Sequence, residues 1–211
     1  VRMRNGTMAW SHWSAPVEFV AGEPDLAGLR ASLVFNEIMY HPPGQADESA
    51  GELEFLELKN IGASVLDLSG LFFTSGIEFV FPKGSTLAPG GLFLLGKNRA
   101  ALQNRYPGLA VHGIYRGRLA NEGETLTLSA GLDAPVLNVT YDDAAPWPEK
   151  ADGYGFSLNA DAASELGFRA SAALGGTPGG EDPGLAKPLD DLILTVTRLA
   201  NGMLRVGFAA E

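Results

Sequence analysis

The stretch GELEFLELKNIGASVLDLSGLFFTSG, residues 51–76, has the outline of two strands around a polar turn, yet it carries three glutamates, Glu52, Glu54 and Glu57, among its apolar residues. Whether those acids do chemistry or only face water decides the reading of the chain. Successive side chains of a strand point to opposite faces. Glu54, Leu56 and Leu58 therefore share one side, and Phe55 and Glu57 the other. Leu56 and Leu58 are expected to face a core, which puts Glu57 on the outer face and Glu54 near the mouth of the strand. The earlier run LVFNEIMY, residues 33–40, is β-branched and aromatic and reads the same way, with Asn36 and Ile38 on one face and Glu37 opposite, beside Phe35. If the two strands pair, Glu37 and Glu57 meet on one outer face. Directly opposed like charges are unfavourable there unless a cation, a lysine or an arginine lies between them. One reading is a pair of solvated strand positions balanced by Lys59 or an arginine; the other is a calcium site, for which carboxylate and carbonyl oxygens are suitable ligands.

The totals narrow the choice. A chain of 211 residues can bury a core without staples, and 27 glycines with 13 prolines predict many tight turns and little helix. The net charge of −10 repels a phosphate backbone, so nucleic-acid binding through counterion release is disfavoured. With no cysteine, disulfides, thiolate metal sites and cysteine nucleophiles are excluded together. No apolar run approaches the roughly 18 residues of a membrane span. The opening VRMRNGTMAWSHW lacks the apolar core of a signal peptide. It reads as the middle of a strand, which predicts an excerpt of a longer protein with any export signal upstream.

Along the chain, residues 1–20 read as a short hairpin belonging to a preceding module, and AGEPDLAGLRAS as a linker. After residues 33–40 the prolines of HPPG stop the strand. IEFVF at 77–81, LFLLGKN, VHGIYRG, ETLTLSA and VLNVTYD follow as strands, with only RAALQNRY, residues 99–106, carrying a helical period. Short strands about 8 to 12 residues apart, with turns between them and no βαβ alternation, predict an antiparallel sandwich or barrel. Residues 142–188 are rich in proline and glycine and read as long loops with one more strand at GFSLN. LILTVTRLANGMLRVGFAA is a hairpin around Asn201-Gly202, the start of a following module.

The order NEIMYHPP, GELEFLELKN, VLDLSG, FVFPKGSTLAPGGLFLL, LANEGETLTL and APWPEKADGYGFSL, ending in GGTPG, resembles the lamin tail domain in its bacterial form, over about residues 32–180. The resemblance implies an all-β, immunoglobulin-like antiparallel β-sandwich used as a non-catalytic module, and it brings no catalytic residues. Leu71 stands where a tryptophan often follows the DLSG turn, and the C-terminal hairpin lies outside the match. The expected boundaries are a hairpin and linker at 1–31, the sandwich at 32–182 and a second linker with hairpin at 183–211.

Other candidates are weighed the same way. Asp142, Asp143 and Asp152, in YDDAAPWPEKADG, join Glu37 and Glu57 as possible calcium ligands, without EF-hand spacing. His12, His41 and His112 lack zinc spacing, and no GxSxG is present. Trp147 between Pro146 and Pro148 is either an exposed stacking platform, with Tyr154, for a sugar or peptide, or a lid over one end of the sandwich. Trp10 and Trp13 are expected on opposite faces. The expectation is a non-catalytic module of an exported, multidomain bacterial protein, outside the cell or in the envelope, with a protein or cell-surface partner and no cofactor unless calcium. Its alternative is a carbohydrate-binding or calcium-stabilised adhesive sandwich.

Overall fold

The computed structural model describes residues 2–13, 25–43, 50–131, 134–184, 192–198 and 204–210. A helix α1 (Ala27–Ser32) leads directly into β1 (Leu33–Met39), and β2 (Phe55–Asn60) returns antiparallel beside it. The short strands β3 (Leu66–Asp67), β4 (Phe72–Ser75) and β5 (Thr86–Leu87) follow, then β6 (Leu92–Gly96), helix α2 (Arg99–Arg105) and β7 (Gly113–Ile114). The body continues through β8 (Glu124–Ser129), β9 (Pro135–Tyr141), β10 (Leu158–Ala160) and β11 (Phe168–Ala170). A separate antiparallel pair, β12 (Leu192–Arg198) and β13 (Leu204–Ala210), lies at the C-terminal end of the sequence; its Asn201-Gly202 turn falls outside the described residues.

The sheet order is β11-β10-β1-β2-β6-β7 in the larger sheet, β4-β8-β9 in a second and β3-β5 in a third. One continuous apolar cluster fills the space between them: Leu33, Phe35, Ile38, Leu56 and Leu58 from the large sheet meet Phe73, Leu126 and Leu128 from the second. This is the immunoglobulin-like β-sandwich that the resemblance implies, with Leu56 and Leu58 facing its core as their alternation predicts. Both leucines are fully buried.

Four local readings change. The LAGLRAS segment is helix rather than linker: Leu26 is buried in the core, and the Arg30 guanidinium donates to the Pro135 carbonyl at 2.8 and 3.0 Å. IEFVF forms no strand and contributes only isolated bridges, Phe72 to Val80 and Glu78 to Arg116. β6 and β7 pair in parallel, with α2 as the crossover, so the sheet contains one small βαβ unit. Asn98 caps α2 by accepting from the Ala100 and Ala101 amides, so a seven-residue helix holds its place. Last, Trp10 and Trp13 are not on opposite faces, since the Arg2 guanidinium lies 4.4 Å from one ring centre and 4.9 Å from the other.

The outer face of the large sheet is also covered. Met39, Phe55, Leu94, Leu102, Leu109 and Val111 form a second apolar cluster, built where α2 and the segment after it fold over the strands.

Candidate functional site

Glu37 lies directly opposite Glu57 in the β1–β2 register, as the strand alternation predicts. The register shifts between Phe35 and Glu37, however, so Asn36 is the extra residue of a β-bulge. The bulge brings Asn36 to the face that Glu57 occupies, where its amide donates to Glu57 Oε1 at 2.8 Å, while Phe35 and Ile38 both stay in the core. Asn36 and Ile38 therefore do not share a face, contrary to the simple alternation.

Neither acid meets water. Glu37 and Glu57 are both 0 % exposed and Glu54 is 4 % exposed, which overturns the reading of solvated strand positions. Their oxygens are filled by donors from the Gly-Gly-Thr-Pro-Gly-Gly loop at 175–180 and its surroundings. Thr177 donates its backbone N–H to Glu37 Oε1 at 2.8 Å and its hydroxyl to Oε2 at 3.3 Å, and the Ser157 hydroxyl also donates to Oε1. Gly179 donates its N–H to Glu57 Oε2 at 2.6 Å. Gly176 must be glycine: its φ is +74°, and a Cβ would stand 2.1 Å from Glu37 Oε1. Among the described residues no lysine or arginine bridges the two acids; Lys59 bonds Glu181 at 2.6 Å instead.

Burial sets their titration. Loss of water pushes Glu57 up to about 7, against the lowering effect of the Gly179 and Asn36 bonds, and Glu37 beside it pushes the same way. Burial likewise raises Glu37, with the Ser157 and Thr177 bonds opposing. Glu54, also raised by burial, accepts the Leu119 N–H at 2.9 Å and the Tyr115 hydroxyl at 3.0 Å, so it anchors the segment after β7. Glu52 is half-buried and accepts from the Asn98 amide at 2.7 Å. Each carboxylate of the opening stretch thus holds a neighbouring segment in place.

A family model for the lamin tail domain matches residues 29–145, over half of the chain. The chain belongs to the lamin tail domain family. That family is immunoglobulin-like and non-catalytic, in line with the sandwich described above. No individually curated protein matches the chain. In this lamin tail domain the fold runs on past the matched span, because β10 and β11 extend the large sheet from β1.

The remaining candidates are scattered over the lamin tail body. Asp142 and Asp143 are exposed beyond β9; the Ala144 N–H, at 2.8 Å, holds Asp142 below the ordinary aspartate range, and a shared hydrogen bond with Asp142 pushes Asp143 up. Asp152 bonds His41 Nδ1 at 2.6 Å. Among the described residues no group of three or more acids and histidines is gathered closely enough to hold a metal ion. Trp147 is half-buried against the core, its ring centre 6.2 Å from that of Phe168, whereas Tyr154 is 62 % exposed. Sequence reasoning missed Ser157, Asn159 and the donor role of loop 175–180. The available signal was the glycine run itself, since successive free N–H groups in such a loop are shaped for anionic oxygens.

A slot of about 590 Å³ opens beside this region. Val34, Phe35 and Asn36 of β1 form one side, the β10–β11 hairpin with Asn159 and Phe168 the other, and Leu137 and Val139 of β9 the roof. No serine, histidine or tyrosine is among its lining residues.

Proposed function

We propose that this lamin tail domain is a non-catalytic interaction module of a larger exported bacterial protein, working in the envelope or outside the cell by holding a protein or surface partner. The observation that supports it best is the fate of the carboxylates: Glu37, Glu54 and Glu57, the acids placed best for chemistry, are closed off from solvent and saturated by donors from their own fold. A general acid or base must reach a substrate, and these reach only the scaffold. The slot described above has no serine, histidine or tyrosine among its lining, and its Lys59 and Arg169 are tied up in ion pairs. The net charge of −10 argues against nucleic acid as the partner. Among the described residues no helix is long and apolar enough to cross a membrane.

The test is removal and transfer. Deleting residues 25–184 from the parent polypeptide is expected to leave the activities of its other domains intact and abolish its retention on partner or cell surface. Fusing the 211-residue chain to a fluorescent protein is expected to restore that retention. Turnover of a substrate by the chain alone, lost on substitution of one of its residues, would overturn the reading.

A further inference from the structure

The slot is a missing length of strand. β10 pairs with β1 only at Glu37 and Ile38, whereas β2 pairs with β1 from Leu33 to Met39. Among the described residues, then, β1 from Val34 to Asn36 has a neighbour on its β2 side alone. The β-bulge at Asn36 breaks the register there, and β10 turns away into the hairpin that leads to β11. What shows through the gap is sandwich interior: Leu137, Val139 and Ala160 are only partly buried although they pack against the main core. At the last paired rung, opposite Glu37, stands Asn159, 5 % exposed, whose Nδ2 has no hydrogen-bond partner among the described residues. A buried amide donor left unpaired is unfavourable, and Asn159 lines the slot, so a turn of its amide toward the gap lets this group meet an acceptor brought from outside the fold.

The ionic rim says what kind. Lys59 is paired with Glu181 at 2.6 Å, and Arg169 with Asp182 at 2.7 Å and Asp161 at 3.5 Å. Both cations lining the slot are paired and the three acids outnumber them by one, which leaves an apolar trough, an unused strand edge and one amide donor beside a weakly acidic rim. An anionic ligand is repelled there and a cationic one finds the acids already paired; an uncharged extended backbone gains all three.

Building on the interaction-module reading, we propose that the slot receives a short extended segment of a partner polypeptide, uncharged and with apolar residues at alternate positions, added as a strand on the Val34–Asn36 edge of β1. Its backbone pairs with β1, one carbonyl accepts from Asn159 Nδ2, and one apolar side chain enters between Leu137, Val139 and Phe168. Main-chain bonds supply the affinity of such strand addition, and the pocket for alternate side chains supplies its selectivity.

The experiment uses the whole 211-residue chain and a panel of fluorescein-labelled, end-capped hexapeptides alternating Val, Ile or Phe with Thr or Ser. Binding is read by polarisation, and hydrogen exchange reads the amides of residues 34–36. The expected result is saturable binding by part of the panel, slowed exchange at 34–36, and more than tenfold loss when alternate peptide nitrogens are methylated. Val139→Lys and Asn159→Leu are each expected to weaken binding at least tenfold with melting temperatures above the assay temperature, while Tyr154→Ala leaves it unchanged. The N-methylated peptides carry the test even where a slot variant fails to fold. Equal binding by methylated peptides would overturn strand addition in favour of an apolar small ligand, and so would the absence of binding across the panel. Concentration-dependent dimers abolished by Val139→Lys would overturn it in favour of a second copy. If Val139→Lys folds yet leaves the parent protein's retention unaltered, the slot proposal falls and the interaction-module reading stands.

Discussion

Glu37 and Glu57 on the large sheet and Asp142 and Asp143 beyond β9 are alike on paper, two acid pairs flanked by strand residues, and unlike in the molecule. The first pair is wholly buried and bonded by Ser157, Thr177, Gly179 and Asn36; the second is open to water and bonded chiefly to its own turn. Strand alternation assigns the face correctly in the first case but does not say whether that face is wet. What covers the sheet decides this, and here the cover comes from residues some 120 to 140 positions away along the chain.

The difference can be broken first at Glu37. Glu37→Ala leaves the Ser157 hydroxyl and both Thr177 donors without their acceptor, and with each buried orphan at about 1–3 kcal/mol the expected loss is roughly 3–5 kcal/mol, read by urea unfolding. Asp143→Ala should leave the urea midpoint where it is. Equal effects from the two substitutions would erase the contrast.

Protonation tests the same contrast without mutation. Glu57 has an ordinary value of 4.5 and is pushed up to about 7 in the fold. Between those pH values the folded state keeps a proton that the unfolded chain has released. Its contribution is therefore fully present below about pH 4.5 and lost as pH rises through 7, amounting to roughly 3 kcal/mol. Glu37 and Glu54, also raised, act in the same direction. Urea midpoints measured from pH 4.5 to 7.5 are expected to fall with pH in the wild type and to fall less steeply in Glu57→Gln. A rising slope that Glu57→Gln leaves unaltered would contradict the buried pair.

Gly176→Ala sharpens the account of the cover. A Cβ at that positive φ collides with the Glu37 carboxylate, and a loss of about 2 kcal/mol with faster proteolysis in 175–180 is expected. The smallest effect is on the other half of the cover: Asn98→Ala removes the two amide contacts that start α2 and should lower stability by about 1 kcal/mol, read as a shift in melting temperature.

Much of the fold is legible from local pattern. The inward turn of Leu56 and Leu58, the helical period at 99–106 and the outer face of Glu37 and Glu57 all follow from spacing that short-range physics enforces. The ordered motifs add the family. The rest depends on contacts between distant segments. The bulge at Asn36 leaves no mark in LVFNEIMY, the parallel pairing of β6 with β7 needs only two residues, and the gap beside β1 exists because β10 stops where it does. The fate of the acids was hidden for the same reason, since the glycine run marks a loop of N–H donors but not the distant acids that those of Thr177 and Gly179 meet.

The bond between Glu37 and Thr177 joins an early strand of the body to its final loop. Tension applied across residues 33 and 180 meets this clasp and its neighbour at Gly179 before it reaches β4, β8 or β9. The load path is thus short and lies along one side of the sandwich, so the second sheet stays unstressed while the clasp holds.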